Sequence, residues 1–111
     1  MNVGLEFPTE LFGDYLKSEG IRSVEEASVK VVERVLIRAY RDYKKEFLSF
    51  DLFSSICEKL WTRLVQLKEE TTRLGTIIDF GVELSWYTRN DTTRAKQFLD
   101  EIDEYIRKVD M

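Results

Sequence analysis

The most regularly spaced cationic side chains of the chain lie between residues 30 and 45. They recur at intervals of four, four, three and four residues, which places them on one side of a helix. A line of cations can bind an acidic protein surface or phosphates, and it is also the ordinary solvent face of an amphipathic helix. We call the cations Lys30, Arg34, Arg38, Arg41 and Lys45 the basic stripe. Together with Phe50, which follows it, the basic stripe is the candidate partner-binding site.

The carboxylates that could bind a metal ion are concentrated near the C-terminal end. Glu101 and Glu104 have the spacing that puts two carboxylates on one face of a helix, and Asp100 and Asp103 lie beside them. A Mg²⁺ site of this kind needs further carboxylates from a facing helix. The chain has no second Glu-x-x-Glu or Glu-x-x-Asp. We therefore expect a solvated acidic face and no metal site.

Residue types that dominate enzyme active sites are scarce. The chain has no histidine, which excludes a Ser-His-Asp triad and imidazole metal ligands. Its single cysteine, Cys57, permits no internal disulfide, and its apolar helical position predicts a buried thiol. An enzyme of carboxylates and arginines alone would need several acids in one cleft. The sequence predicts a protein that is not an enzyme and that uses no cofactor.

Composition and charge are those of one small domain. The chain has 111 residues with 17 basic and 21 acidic side chains, so residues 1–111 form a single predicted domain of net charge −4. The absence of a basic arm makes nucleic-acid binding an unfavoured alternative. No apolar run approaches the roughly 20 residues of a membrane helix. The first residues show no signal peptide. We therefore expect a soluble, cytoplasmic protein.

Hydrophobic periodicity predicts four amphipathic helices. The first covers residues 9–19 and ends at Gly20. The second covers residues 24–47 after a capping box formed by Ser23 and Glu26. The third starts at a Ser49 or Asp51 cap and continues to residue 74, where Gly75 closes it. The fourth covers residues 92–109 and begins at an Asp91 cap.

Two segments have the alternating pattern of strands. Residues 3–7 alternate until Pro8, and in residues 77–87 five apolar side chains alternate with polar ones. The predicted class is therefore an α-helix-dominated α+β fold, with an all-α bundle that contains 77–88 as a buried helix as the alternative. An unpaired strand needs a partner for its backbone groups. The two strands would pair with each other or with a second copy, so a homodimer is expected.

The N-terminal third is similar to one known family. The segment Leu5-Glu6-Phe7-Pro8-Thr9-Glu10-Leu11, followed by Gly20, Ser23 and Glu26, resembles ribbon-helix-helix repressors and antitoxins. The resemblance implies a first strand that pairs with its twofold mate and contacts DNA through outward side chains. Those side chains would be Asn2, Gly4 and Glu6, and none of them is basic.

The sequence thus supports two classes of function. The leading hypothesis is a small, soluble, non-enzymatic protein–protein interaction domain, homodimeric, which binds an unknown protein through the basic stripe. The alternative is a ribbon-helix-helix-like DNA-binding regulator or an antitoxin- or immunity-type protein.

Overall fold

The computed structural model describes residues 8–109, and the predicted strand at 3–7 lies outside them. The described chain is all helical, so the predicted α+β class is wrong and the alternative, an all-α bundle, fits. Five α-helices and one 3₁₀ turn follow one another: α1 (Pro8–Ser18), the 3₁₀ turn (Val24–Glu26), α2 (Val29–Lys44), α3 (Phe50–Gln66), α4 (Arg73–Asn90) and α5 (Thr92–Val109).

The helices begin at side chains that accept a hydrogen bond from the first turn. The Ser28 hydroxyl accepts from the Val31 N–H at 3.2 Å, and the Ser49 hydroxyl starts α3 in the same way. A carboxylate oxygen of Asp91 accepts from the Arg94 N–H at 3.1 Å at the start of α5. The predicted caps at Ser49 and Asp91 are confirmed, and each satisfies a backbone donor that the helix leaves unpaired.

The second predicted helix is divided near its start. The Glu26 carboxylate accepts from the Ser23 N–H as predicted, but this cap starts only the 3₁₀ turn. Ala27 then adopts an extended backbone and is buried, and its carbonyl accepts a hydrogen bond from Arg63 Nε at 2.9 Å. This tertiary hydrogen bond and the Ser28 cap place the start of α2 at Val29, so the prediction of one helix over 24–47 is wrong.

Two helices end at left-handed residues that are not glycine. Glu46 has φ 66° after α2, and Lys68 has φ 59° after α3. The N–H groups that follow them close each helix end, with Phe47 N–H donating to the Asp42 carbonyl at 2.8 Å and Glu69 N–H to that of Leu64 at 2.9 Å. By contrast, Gly20 has φ 77° after α1 and confirms the predicted glycine cap.

The prediction that Gly75 closes α3 is wrong. Helix α3 ends at Gln66, and Gly75 lies in the first turn of α4. The Thr72 hydroxyl accepts from the Gly75 N–H at 3.2 Å and starts this helix. A Cβ atom at Gly75 would overlap the backbone carbonyl of Glu70, so the turn between α3 and α4 requires a glycine there. The boundary prediction failed because glycine served a close approach of two backbone segments.

The segment 77–87 is helical, so the predicted strand is wrong. Helix α4 lies between two others and buries two faces at once. Gly81 faces Cys57 on α3, while the rings of Phe80 and Tyr87 contact Phe98 on α5 at centroid distances of 4.7 and 5.0 Å. Apolar residues on two faces remove the single stripe expected of an amphipathic helix. The backbone groups of this segment pair within a helix, so the argument for a homodimer through a free strand edge no longer applies.

None of the described helices combines the length and hydropathy that crossing a bilayer requires.

We expect Gly81→Ala to lower the free energy of unfolding by about 1–3 kcal/mol, the usual cost of overpacking a tight contact. The added Cβ would overlap the Cys57 Sγ atom, which is fully buried. In a Cys57→Ala background the loss should shrink, because the overlapping atom is gone. Urea unfolding of the single and double variants measures the coupling.

Gly13→Ala in α1 is the matched control. Among the described residues, a Cβ atom there would meet no atom within 4 Å, and alanine is favoured in a helix interior by about 0.5–1 kcal/mol. This variant should therefore be more stable than the natural chain. Equal effects at Gly13 and Gly81 would contradict the account of the α3–α4 contact.

Candidate partner-binding site

The basic stripe follows α2, and its middle part holds α1. Arg34 Nε lies 2.8 Å from Glu19 Oε1, at the end of α1. The Arg38 guanidinium lies over the ring of Tyr15 in α1, 5.5 Å from the ring centroid. Lys30, at the start of α2, is exposed and lies 3.8 Å from the largely buried Glu33 carboxylate in a long ion pair. Two of the predicted binding residues therefore have an internal role in addition to their exposure.

The C-terminal end of the stripe faces α5 across a groove of about 470 Å³, which we call the α2–α5 groove. Its lining is Tyr40, Arg41, Lys44, Lys45, Asp103, Ile106 and Arg107. Four of these side chains are cationic and one is a carboxylate. Tyr40 and Ile106 are almost fully buried and give the groove an apolar wall. The structure thus combines two stripe residues, Arg41 and Lys45, with cations outside the stripe.

The one carboxylate of the groove is engaged on both sides. The Tyr40 hydroxyl donates to Asp103 Oδ1 at 3.2 Å, and Arg107 Nε lies 3.7 Å from Asp103 Oδ2. Burial, and then the Asp103 charge, raise the pKa of Tyr40 well above its ordinary value, so the hydroxyl stays a donor. The Lys44 ammonium lies 5.9 Å from the centroid of the Tyr40 ring. The Lys44 charge therefore lies over an aromatic ring that forms part of the groove wall.

A second depression adjoins this groove and shares Lys44 with it. It has a volume of about 510 Å³ and is lined by Tyr43, Lys44, Glu46, Leu48, Ser49 and Leu99. Phe47 lies in the same loop and exposes 74% of its surface. This is the most exposed large hydrophobic side chain among the described residues. An aromatic ring beside a cationic groove is typical of protein-binding surfaces.

Phe50, the last predicted site residue, contacts α4. Its ring lies 4.9 Å from the Arg89 guanidinium carbon. Arg89 also donates to Asp51 Oδ2 at 2.6 Å and to the Ser85 hydroxyl at 2.8 Å. This exposed cluster joins the start of α3 to the end of α4. Phe50 therefore packs with this cluster at the junction of α3 and α4, and it does not line the α2–α5 groove.

The acidic residues near the C-terminal end separate into different contacts. Glu101 pairs with Arg73 of α4 at 2.8 Å, and Glu104 with Lys108 at 3.2 Å. Among residues 8–109, no group of three or more acidic or cysteine side chains is arranged to hold a metal ion. Cys57 is fully buried, as predicted, and burial raises the pKa of its thiol well above its ordinary value.

Sequence reasoning missed Lys44 and Arg107. Lys44 directly precedes the predicted Lys45, so a search for clustered cations at the end of the helix would have found it. Arg107 lies on α5, and periodicity along one helix does not reveal which helix packs beside it. The groove is therefore a product of tertiary packing.

No protein family, no curated protein and no solved structure matches this chain.

Arg89→Gln is expected to raise the pKa of Asp51 toward its ordinary value. Hydrogen bonds from Arg89 and then Ser85 hold the Asp51 pKa below that value. A lowered pKa stabilises the fold above the ordinary carboxyl range, and this stabilisation is lost as the pH falls through the lowered pKa. The variant should therefore lose less stability in acid. Carbon NMR of the Asp51 carboxyl group measures the titration.

Arg73→Gln is the control, because Arg73 pairs with Glu101 instead. It should leave the Asp51 titration unchanged. An Asp51 pKa that is the same in the natural chain and in Arg89→Gln would show that the cluster does not hold together in solution.

Proposed function

We propose that this protein is a cytoplasmic, non-enzymatic interaction domain that binds an acidic segment of a partner protein in the α2–α5 groove. The observation that carries the proposal is the convergence of cations from two helices on one apolar-walled groove. The groove is complete within one copy of the chain, so the proposal does not require a homodimer.

Charge supports this choice of partner. The whole chain has a net charge of −4, whereas the groove has four cations against one carboxylate that is already engaged. An acidic partner would be repelled by the net charge of the chain and attracted at the groove. Such segregation favours both the orientation and the rate of association.

The apolar surface beside the charges supports a peptide segment with hydrophobic side chains. Tyr40 and Ile106 line the groove, and Phe47 exposes most of its ring at the neighbouring loop. Exposed charge pairs alone contribute about 0–1 kcal/mol each, so an aromatic anchor is needed for stable binding. A partner segment with carboxylates and one or two large apolar side chains fits this surface.

Lys44 and Lys45 are better test positions than Arg34 and Arg38. Reversal of Arg34 would place two carboxylates together at Glu19, and reversal of Arg38 would remove its contact with Tyr15. Both changes would loosen α1 and confuse stability with binding. Lys44 and Lys45 are exposed at the end of α2, away from these contacts.

The double variant K44E/K45E is expected to weaken binding of an acidic peptide by at least about tenfold, since each reversal replaces attraction with repulsion. The probe is a short, labelled peptide of glutamate and leucine in an amphipathic pattern. Fluorescence anisotropy at low and moderate salt measures its affinity, which should fall as salt rises.

K17E is the matched control variant. Lys17 is exposed in the last turn of α1, so its reversal has the same unfavourable effect on a helix C-terminus as reversals at the end of α2. It should leave peptide binding unchanged. The proposal is wrong if K17E and K44E/K45E weaken binding equally, or if duplex DNA binds more tightly than the peptide under the same conditions.

A further inference from the structure

A separate cleft lies where α1 and the 3₁₀ turn meet α3. It has a volume of about 380 Å³ and shares no residue with the α2–α5 groove. Its lining is Phe12, Gly13, Leu16, Arg22, Ser23, Val24, Lys59 and Thr62. Small-molecule sites have volumes of about 300–1,000 Å³ and combine an apolar wall with a few polar groups. This cleft, which we call the α1–α3 cleft, has both features.

The wall of the cleft is apolar and is left open at a glycine. Phe12 and Leu16 of α1 are almost fully buried, and Val24 of the 3₁₀ turn packs against the core and lines the same cleft. Gly13 lies between them in α1, and a Cβ atom there would meet no atom of the described residues within 4 Å. A glycine inside a helix costs about 0.5–1 kcal/mol relative to alanine. At Gly75 and Gly81 a close approach of neighbouring atoms explains this cost, whereas at Gly13 no close approach does.

The rim of the cleft is cationic. Arg22 comes from the loop after α1, and Lys59 comes from α3. Over the described residues, neither side chain forms an ion pair or hydrogen bond, whereas Arg34, Arg73 and Arg89 are all paired with carboxylates. The Glu26 carboxylate at this end accepts from the backbone N–H groups of Arg22 and Ser23. Two cations are thus placed beside an apolar wall without an internal counter-ion.

Two hydroxyl groups also line the cleft. The Thr62 hydroxyl donates to the Glu58 carbonyl at 3.0 Å and retains its capacity to accept a hydrogen bond. Ser23 lines the cleft from the start of the 3₁₀ turn. These groups can add hydrogen bonds to a ligand near the cations. They are uncharged, so the rim still favours an anion.

We infer that the α1–α3 cleft binds a small amphiphilic anion, with its apolar body against Phe12, Leu16 and the open space at Gly13, and its acid group between Arg22 and Lys59. The chemical class is an aromatic or aliphatic carboxylate, sulfonate or phosphate of low molecular mass. This site is independent of the protein-binding groove.

Anilinonaphthalene sulfonate is the probe, because its fluorescence rises in apolar sites and it carries one anionic group. Phenylnaphthylamine has the same aromatic body without the sulfonate, so it is the neutral comparison. The folded natural chain should bind the sulfonate about tenfold more tightly than the neutral compound, the effect of one charge-assisted contact. Amide NMR shifts should be centred on Gly13 and Thr62.

Two kinds of variant distinguish the contribution of the apolar wall to binding from that of the cationic rim. Gly13→Leu fills the open space and should abolish binding of both compounds. The pair R22Q/K59Q should remove the preference for the sulfonate and keep the affinity for phenylnaphthylamine. K44E/K45E should leave both affinities unchanged, so this inference and the proposed groove can fail separately.

Far-UV circular dichroism and thermal unfolding show that each variant is folded. The inference is overturned if the sulfonate binds no better than phenylnaphthylamine, if Gly13→Leu is folded and binds as the natural chain does, or if the shifts map to the α2–α5 groove. It is also overturned if the natural chain shows no binding at millimolar probe.

Discussion

The close contact between α3 and α4 at Gly81 determines where the other helices lie. The Ser54 hydroxyl donates to the Gly81 carbonyl at 2.8 Å and accepts from the Ser85 N–H at 3.1 Å, so this buried polar group is satisfied on both sides. With Cys57 against the glycine, α4 approaches α3 closely and presents its aromatic face to α5. Helix α5 in turn places Arg107 beside the end of α2. The groove thus depends on a glycine far from it in sequence.

Tyrosine hydroxyls link α2 to the helices on either side of it. Tyr15 of α1 donates to Asp42, and Tyr105 of α5 donates to Glu33 at 2.7 Å. Tyr40 of α2 donates to Asp103 of α5 at 3.2 Å. Hydrogen bonds to charged groups contribute about 1.5–3 kcal/mol each, more than exposed ion pairs do. These carboxylates are used inside the bundle, and among the described residues Lys44 and Lys45 at the end of α2 form no ion pair.

Much of the bundle follows from sequence, because a helix with one apolar face reveals itself by periodicity. Helix α5 begins after its Asp91 cap as predicted. Helix ends were predicted wrongly where glycine did not mark them. Lys68 adopts the left-handed conformation after α3 that a glycine was expected to adopt. Gly75 instead permits the close approach of the Glu70 carbonyl to α4. In residues 77–87 the helix buries apolar side chains on two faces, and along the sequence these side chains alternate with polar ones as they would in a strand. Of the candidate site, the stripe was visible on one helix, whereas the contribution of Arg107 required the packing of two.

Three glycines lie inside helices of the described chain, and they differ in what they make possible. At Gly75 and Gly81 a side chain would overlap neighbouring atoms, so the packing explains the loss of helix propensity. At Gly13 alanine would fit without a clash and would be more stable. Natural proteins depart from the locally favoured residue mainly at functional sites. The open wall at Gly13, beside Arg22 and Lys59, is therefore the proposed position of the ligand.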